Sequence, residues 1–315
     1  GYIPNNIRNH FVAFIGEFFG TFMFFFMAFA AAQIANLAAS QSIAGESAAQ
    51  QKFAMGHSAN IDTLMYIALG FGFSLAVNAW AFFRISGGRY LLSLRPMDVT
   101  DLVVGLFNPA VAMALAIVGV IGPVRAIVVT IAELVGGIAA AYAVSGLFPG
   151  ALDVTTHLNA TTGSARGVFI EMFLTAQLVF VILMLAAEKH KGTFLAPLGI
   201  GLALFITQLA GVFFTGASLN PARSLGPAVV LDDFPGYFWI YWVGPGLGGA
   251  LAAGVYLFFK HFRFNTANPG ADFDDREAGN FVFDEENAYN VADVQRPSIL
   301  SSTDNEASRS RSPGS

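Results

Sequence analysis

The chain has 315 residues, of which 55% are hydrophobic and only 12% charged, with a formal net charge of -5 and no cysteine. A soluble domain carries about a quarter charged residues, so a water-soluble helical protein would have nowhere to place this much apolar surface. The acids cluster in the C-terminal tail and the net charge points to no partner, while the lack of cysteine excludes disulfides, thiol chemistry and cysteine-ligated metals.

Residues 1–10, "GYIPNNIRNH", form a short polar lead-in. The chain starts at Gly1 rather than Met, which reads as a trimmed chain. The first apolar run continues too far to be a cleavable signal and lacks a small-residue cleavage site. Six stretches are long enough to cross a hydrocarbon core of roughly 30 Å. They are expected at 11–35, 62–84, 123–148, 167–188, 194–215 and 236–260. Thirty-two Phe and 33 Gly suit helices that face lipid on one side and each other through small residues on the other.

Two further apolar stretches, 109–119 and 221–230, are too short to span. Each starts directly after an Asn and follows a Gly-containing linker. Broken helices are tolerated at membrane depth only where protein or a water-filled cavity surrounds the freed backbone groups. Both therefore read as re-entrant half-helices.

The order is then three spans with a half-helix between the second and third, repeated once. Gly136 and Gly137 follow Asn108 by 28 and 29 residues, and Gly248 and Gly249 follow Asn220 at the same intervals. The halves also begin alike: "GEFFGT" carries Glu17 and Thr21, "IEMFLT" carries Glu171 and Thr175. Three spans per half give the halves opposite orientation, the inverted repeat that places a site at the midplane. The expected fold is an all-α integral membrane protein of six transmembrane helices plus two re-entrant half-helices. Its first repeat covers about 11–148 and its second about 167–260.

Orientation follows from the positive charges. Arg8, Arg84, Arg89, Arg95, Lys189, Lys191, Lys260 and Arg263 fall on one side, which is assigned as cytoplasmic together with both termini. The opposite side carries Asn159 in "NAT", a formal glycosylation sequon. Residues 264–315 lack a sustained apolar period and read as a solvated, disordered cytoplasmic tail. Ser310 and Ser312 there lie in an Arg/Ser/Pro context compatible with phosphorylation, although an unmodified solubilising tail fits equally well.

An Asn before a helix caps its free N–H groups, and Pro at the first helical position gives up an N–H that had no helical partner. That accounts locally for Asn108-Pro109-Ala110 and Asn220-Pro221-Ala222. Two opposed half-helices meeting end to end would also set two positive termini and two carboxamides beside one midplane constriction. Such a site donates hydrogen bonds to a passing neutral molecule and repels cations. Arg223, an ionisable residue at membrane depth, is expected to line the same path. Glu17 and Glu171 are read as acceptors for backbone groups of the re-entrant loops. No acid–base pair, metal cluster or nucleophile triad appears, so neither enzyme chemistry, a cofactor nor a metal site is expected.

In both triplets, the "NPARS" continuation and "FRISGG", residues 11–260 resemble the aquaporin family of major intrinsic proteins, and within it the fungal water-selective members. The resemblance implies a homotetramer in the plasma membrane with one pore per subunit and passive, bidirectional water flow. It implies a selectivity filter of Phe71, Gln208, Ala217 and Arg223. Water-selective relatives usually carry His where this chain has Gln208, and glycerol-conducting relatives tend to have Gly there and Asp where this chain has Ser224. Glycerol or another small neutral solute is therefore the alternative cargo. A non-transport structural membrane protein is the remote alternative, and nucleic acid is not expected as a partner. Tyr2 is a candidate gate, because fungal relatives can plug the channel with an N-terminal Tyr.

One departure is large. In relatives resembling this chain "SGG" runs directly into "LFNPA", whereas here residues 89–105, "RYLLSLRPMDVTDLVVG", intervene. Seventeen codons make 51 nucleotides, about the length of a short fungal intron and divisible by three. The insert reads as a retained intron in the gene model, with an authentic cytoplasmic loop extension as the alternative.

Overall fold

The computed structural model describes residues 4–44, 61–86, 105–188, 192–262 and 264. Tyr2, residues 89–104 of the insert, and the tail from 265 onward with Ser310 and Ser312 lie outside the described residues. Within them the regular structure is all helical: α1 (Asn5–Ala44), α2 (Ile61–Ser86), α3 (Pro109–Ile117), α4 (Pro123–Leu147), α5 (Ser164–Ile182), α6 (Ala196–Thr215), α7 (Pro221–Leu231) and α8 (Ile240–His261). A π-helical turn, Leu183–Ala187, extends α5, and a 3₁₀ turn, Thr193–Leu195, leads into α6.

Among the described residues, six helices are long and apolar enough to cross a membrane. At 1.5 Å per residue, α3 and α7 reach only about 14 and 16 Å, half a hydrocarbon core. They are the two half-helices, and their bounds fall within two residues of those expected from sequence. The helix α1 differs most from expectation. It runs for 40 residues, about 60 Å, where the apolar period alone supported 11–35. Residues 36–44, "NLAASQSIA", are too polar for lipid but hold Ala and Leu and no Gly or Pro, so the helix continues past the hydrocarbon. The last span starts at Ile240 rather than 236, because residues 236–239 form a turn.

The two halves interlock. Helix α1 packs on α2 and α4, and in the second half α5 packs on α6 and α8. Across the halves, α2 packs on α6, α4 on the half-helix α7, and α8 on the half-helix α3. The repeated glycines make the last two contacts. A Cβ on Gly137 of α4 would sit 2.8 Å from the Ala222 carbonyl oxygen, and one on Gly249 of α8 would sit 2.8 Å from that of Ala110. Each half-helix is thus clasped by the last span of the opposite half. That is the inverted repeat expressed as packing.

Candidate pore lining

The two half-helices start in the same way. The Oδ1 of Asn108 accepts from the N–H of Ala110 at 2.9 Å, and that of Asn220 accepts from Ala222 at 2.9 Å. Pro109 and Pro221 occupy the first helical positions. The residues just before the two Asn, Phe107 and Leu219, both hold left-handed backbone, with φ of 51° and 52°. Non-glycine residues rarely adopt this conformation, and it persists only where the surroundings over-determine it.

Those surroundings are two buried carboxylates. Glu17 of α1 accepts from the N–H groups of Leu106 and Phe107, each at 3.0 Å. Glu171 of α5 accepts from Ser218 at 2.9 Å, Leu219 at 2.8 Å and the Thr215 hydroxyl at 2.6 Å. Both glutamates are fully buried. The sequence motif "Glu-x-x-x-Thr" therefore marks where each long helix grips the linker to a half-helix.

The Asn carboxamides then cross over. Asn108 Nδ2 donates to the Leu219 carbonyl at 2.9 Å, and Asn220 Nδ2 donates to the Phe107 carbonyl at 2.6 Å. A carboxamide nitrogen has two hydrogens. One is spent on the opposite half, and the other is left for the cavity that both Asn residues line.

Phe71, Gln208 and Arg223 line that same cavity. The Arg223 guanidinium donates to the Val154 carbonyl at 2.6 Å and lies 5.1 Å from the Phe71 ring centroid and 5.7 Å from that of Phe29. Its Nε has no hydrogen-bond partner. Gln208 Nε2 donates to the Ala217 carbonyl at 3.0 Å, leaving Oε1 without a partner. Ala217 is fully buried with left-handed backbone (φ 45°), and its carbonyl holds Gln208, which lines the cavity. Behind Arg223, Thr156, Ser224 and Ser218 form a hydroxyl chain of 2.8 and 2.6 Å that fixes the start of α7.

Sequence reasoning missed three members of this site. Phe29 lies in a run of aromatics with nothing to single it out, and Val154 contributes only a carbonyl. Glu133 of α4 is fully buried with neither carboxylate oxygen hydrogen-bonded, yet it has no counterpart glutamate in the second half. Asn159 is half-buried, with its Oδ1 accepting from the N–H and hydroxyl of Thr161, each at 3.0 Å. No group of metal-ligating side chains occurs among the described residues.

Residues 98–256 match the family model described as "Major intrinsic protein". The chain is 52% identical over 271 residues to Aquaporin-7 of Botryotinia fuckeliana, covering 86% of this chain and 54% of that protein. It is 50% identical over 273 residues to Aquaporin-5 of the same organism, covering 87% of this chain and 46% of that one. It thus spans about half the length of these two relatives. It is also 47% identical over 264 residues to Probable aquaporin-3 of Gibberella zeae, covering 84% of this chain and 82% of that protein. Among solved structures, the aquaglyceroporin from Plasmodium falciparum matches with a TM-score of 0.57 over 79% of this chain and 95% of that one. At 20% identity that likeness concerns the fold.

Proposed function

The chain belongs to the major intrinsic protein family, and from that membership and the cavity lining we propose that it is a passive, bidirectional water channel. The observation that carries the reading is the meeting of Asn108, Asn220, Phe71, Gln208 and Arg223 on one narrow cavity. Each Asn offers a single free N–H, and the oxygen of a passing water accepts both. That water then has no lone pair for a proton from its neighbour, which interrupts the hydrogen-bonded wire. Two half-helix termini, each worth roughly half a positive charge, and the full charge of Arg223 oppose cations.

Gln208 supports water over larger solutes because its side chain stays in the constriction, tied to Ala217. It also keeps glycerol as the second reading, since the imidazole common in water-selective relatives is absent. The channel works as a homotetramer in the plasma membrane. With six candidate spans among the described residues both ends of the bundle would fall on one side, and the charges of Arg8 and Lys260 support a cytoplasmic assignment for it. Stopped-flow light scattering of proteoliposomes tests the reading. Fast osmotic shrinkage with a low activation energy is expected, and permeability no greater than that of protein-free liposomes, with folded protein present, would overturn it. An isosmotic glycerol-uptake assay separates water from solute conduction.

A further inference from the structure

The two halves align at an offset of 112 residues, Asn108 on Asn220 and Gly137 on Gly249. Three consecutive backbone N–H groups then need acceptors at the start of each half-helix. In the second half, Glu171 takes those of Ser218 and Leu219, and the Ser218 hydroxyl takes that of Asn220 at 3.4 Å. In the first half, Glu17 takes those of Leu106 and Phe107. The third donor, Asn108, has no hydroxyl to use, because the residue aligned with Ser218 is Leu106.

Glu133 stands where that acceptor is missing. It lies one turn before Gly136 and Gly137 on the buried stripe of α4 that meets α1 and α7. Neither of its oxygens closes a full hydrogen bond, and the backbone N–H of Asn108 acts on it from the start of α3. The residue aligned with Glu133 in the second half is Pro245, which has no side-chain acceptor. The halves therefore exchange solutions: Ser218 with Pro245 in one, Leu106 with Glu133 in the other. A bare carboxyl group in this interior is costly unless a donor meets it, and the positive end of a half-helix is where a donor stands.

We propose that Glu133 is a positioning residue, the acceptor that fixes the Asn108 backbone at the midplane as Ser218 fixes that of Asn220. The inference rests on the channel reading for its effect on selectivity but not for its geometry. The test is backbone amide hydrogen exchange at Leu106, Phe107 and Asn108 in the complete protein in lipid nanodiscs, alongside osmotic water permeability and cation leakage in proteoliposomes. E133L should speed exchange at Asn108 about fivefold, the loss of one net hydrogen bond, while Leu106 and Phe107, held by Glu17, change less than about twofold. E133L should also raise cation leakage. E133Q, which keeps a carbonyl acceptor, should restore both. So should L106S/E133L, which transplants the second half's solution.

Unchanged Asn108 exchange in E133L, or uniform acceleration at all three amides that L106S does not reverse, would overturn the assignment. If E133L does not assemble, the double variant decides: assembly with a protected Asn108 amide supports the inference, and equal failure overturns it. A wild-type protein that conducts no water would remove the channel reading alone, because the amide measurement does not depend on transport.

Discussion

Arg223 is held by one carbonyl and flanked by two aromatic rings, so its charge is fixed in place rather than mobile in a wide mouth. Arg223→Ala removes that charge and widens the constriction while leaving the bilayer-facing surface untouched. Water permeability should persist, and glycerol uptake and monovalent cation leakage should rise above those of the parent in matched proteoliposomes. An unchanged solute profile in assembled protein would remove Arg223 from the filter. Gln208→His should lower glycerol uptake if the parent shows any, measured in the same assay; equal uptake in a leaky parent rejects Gln208 as a filter residue. The resemblance pointed to Phe71 through the Gly-x-Ser pattern that follows it and to Gln208, Ala217 and Arg223 through their spacing from the second Asn; of these, Phe71, Gln208 and Arg223 line the cavity. Phe29, Val154 and Glu133 were not, since each acts through a tertiary contact that leaves no mark on its neighbours in sequence. The exception is Glu133 read at the 112-residue offset, where a glutamate opposite a proline and a leucine opposite a serine are a visible signal.

The half-helices depend on what grips them. Glu171 satisfies two backbone N–H groups and a hydroxyl, whereas Glu17 satisfies two N–H groups. Each donor left buried without a partner costs roughly 1–3 kcal/mol, and whole domains are stable by only about 5–15 kcal/mol. Glu171→Leu should therefore lower the unfolding temperature in detergent more than Glu17→Leu, and Glu171→Gln should recover part of the loss; the reverse ranking would reject this account of the grip. Gly249→Val places side-chain carbon against the Ala110 carbonyl, a backbone atom that cannot turn aside. Folded Gly249→Val protein should show depressed water permeability because α3 is displaced, and permeability equal to the parent would show the clasp to be dispensable. The existence and order of the eight helices were legible from apolar run lengths and the Asn-Pro starts. The overrun of α1 was not, because hydropathy reports where lipid ends, and a helix of Ala and Leu has no reason to stop there.

At the scale of the molecule, the absence of cysteine makes a sharp expectation: mercurial reagents should leave water permeability unchanged, and inhibition reversed by a thiol would contradict the proposed pore chemistry. The two halves complete each other at the midplane. Each Asn donates to a carbonyl of the other half, and each half-helix rests on a glycine of the other half. Neither half contains a finished constriction. During synthesis the first three spans can enter the bilayer well before the second triplet is made, and in that interval Asn108 lacks the Leu219 carbonyl it will donate to. On the proposed channel reading, selectivity therefore requires both halves to have met, because each Asn is held by the other half. A chain truncated before residue 219 would lack the carbonyl that Asn108 donates to, and with it the proposed midplane barrier altogether.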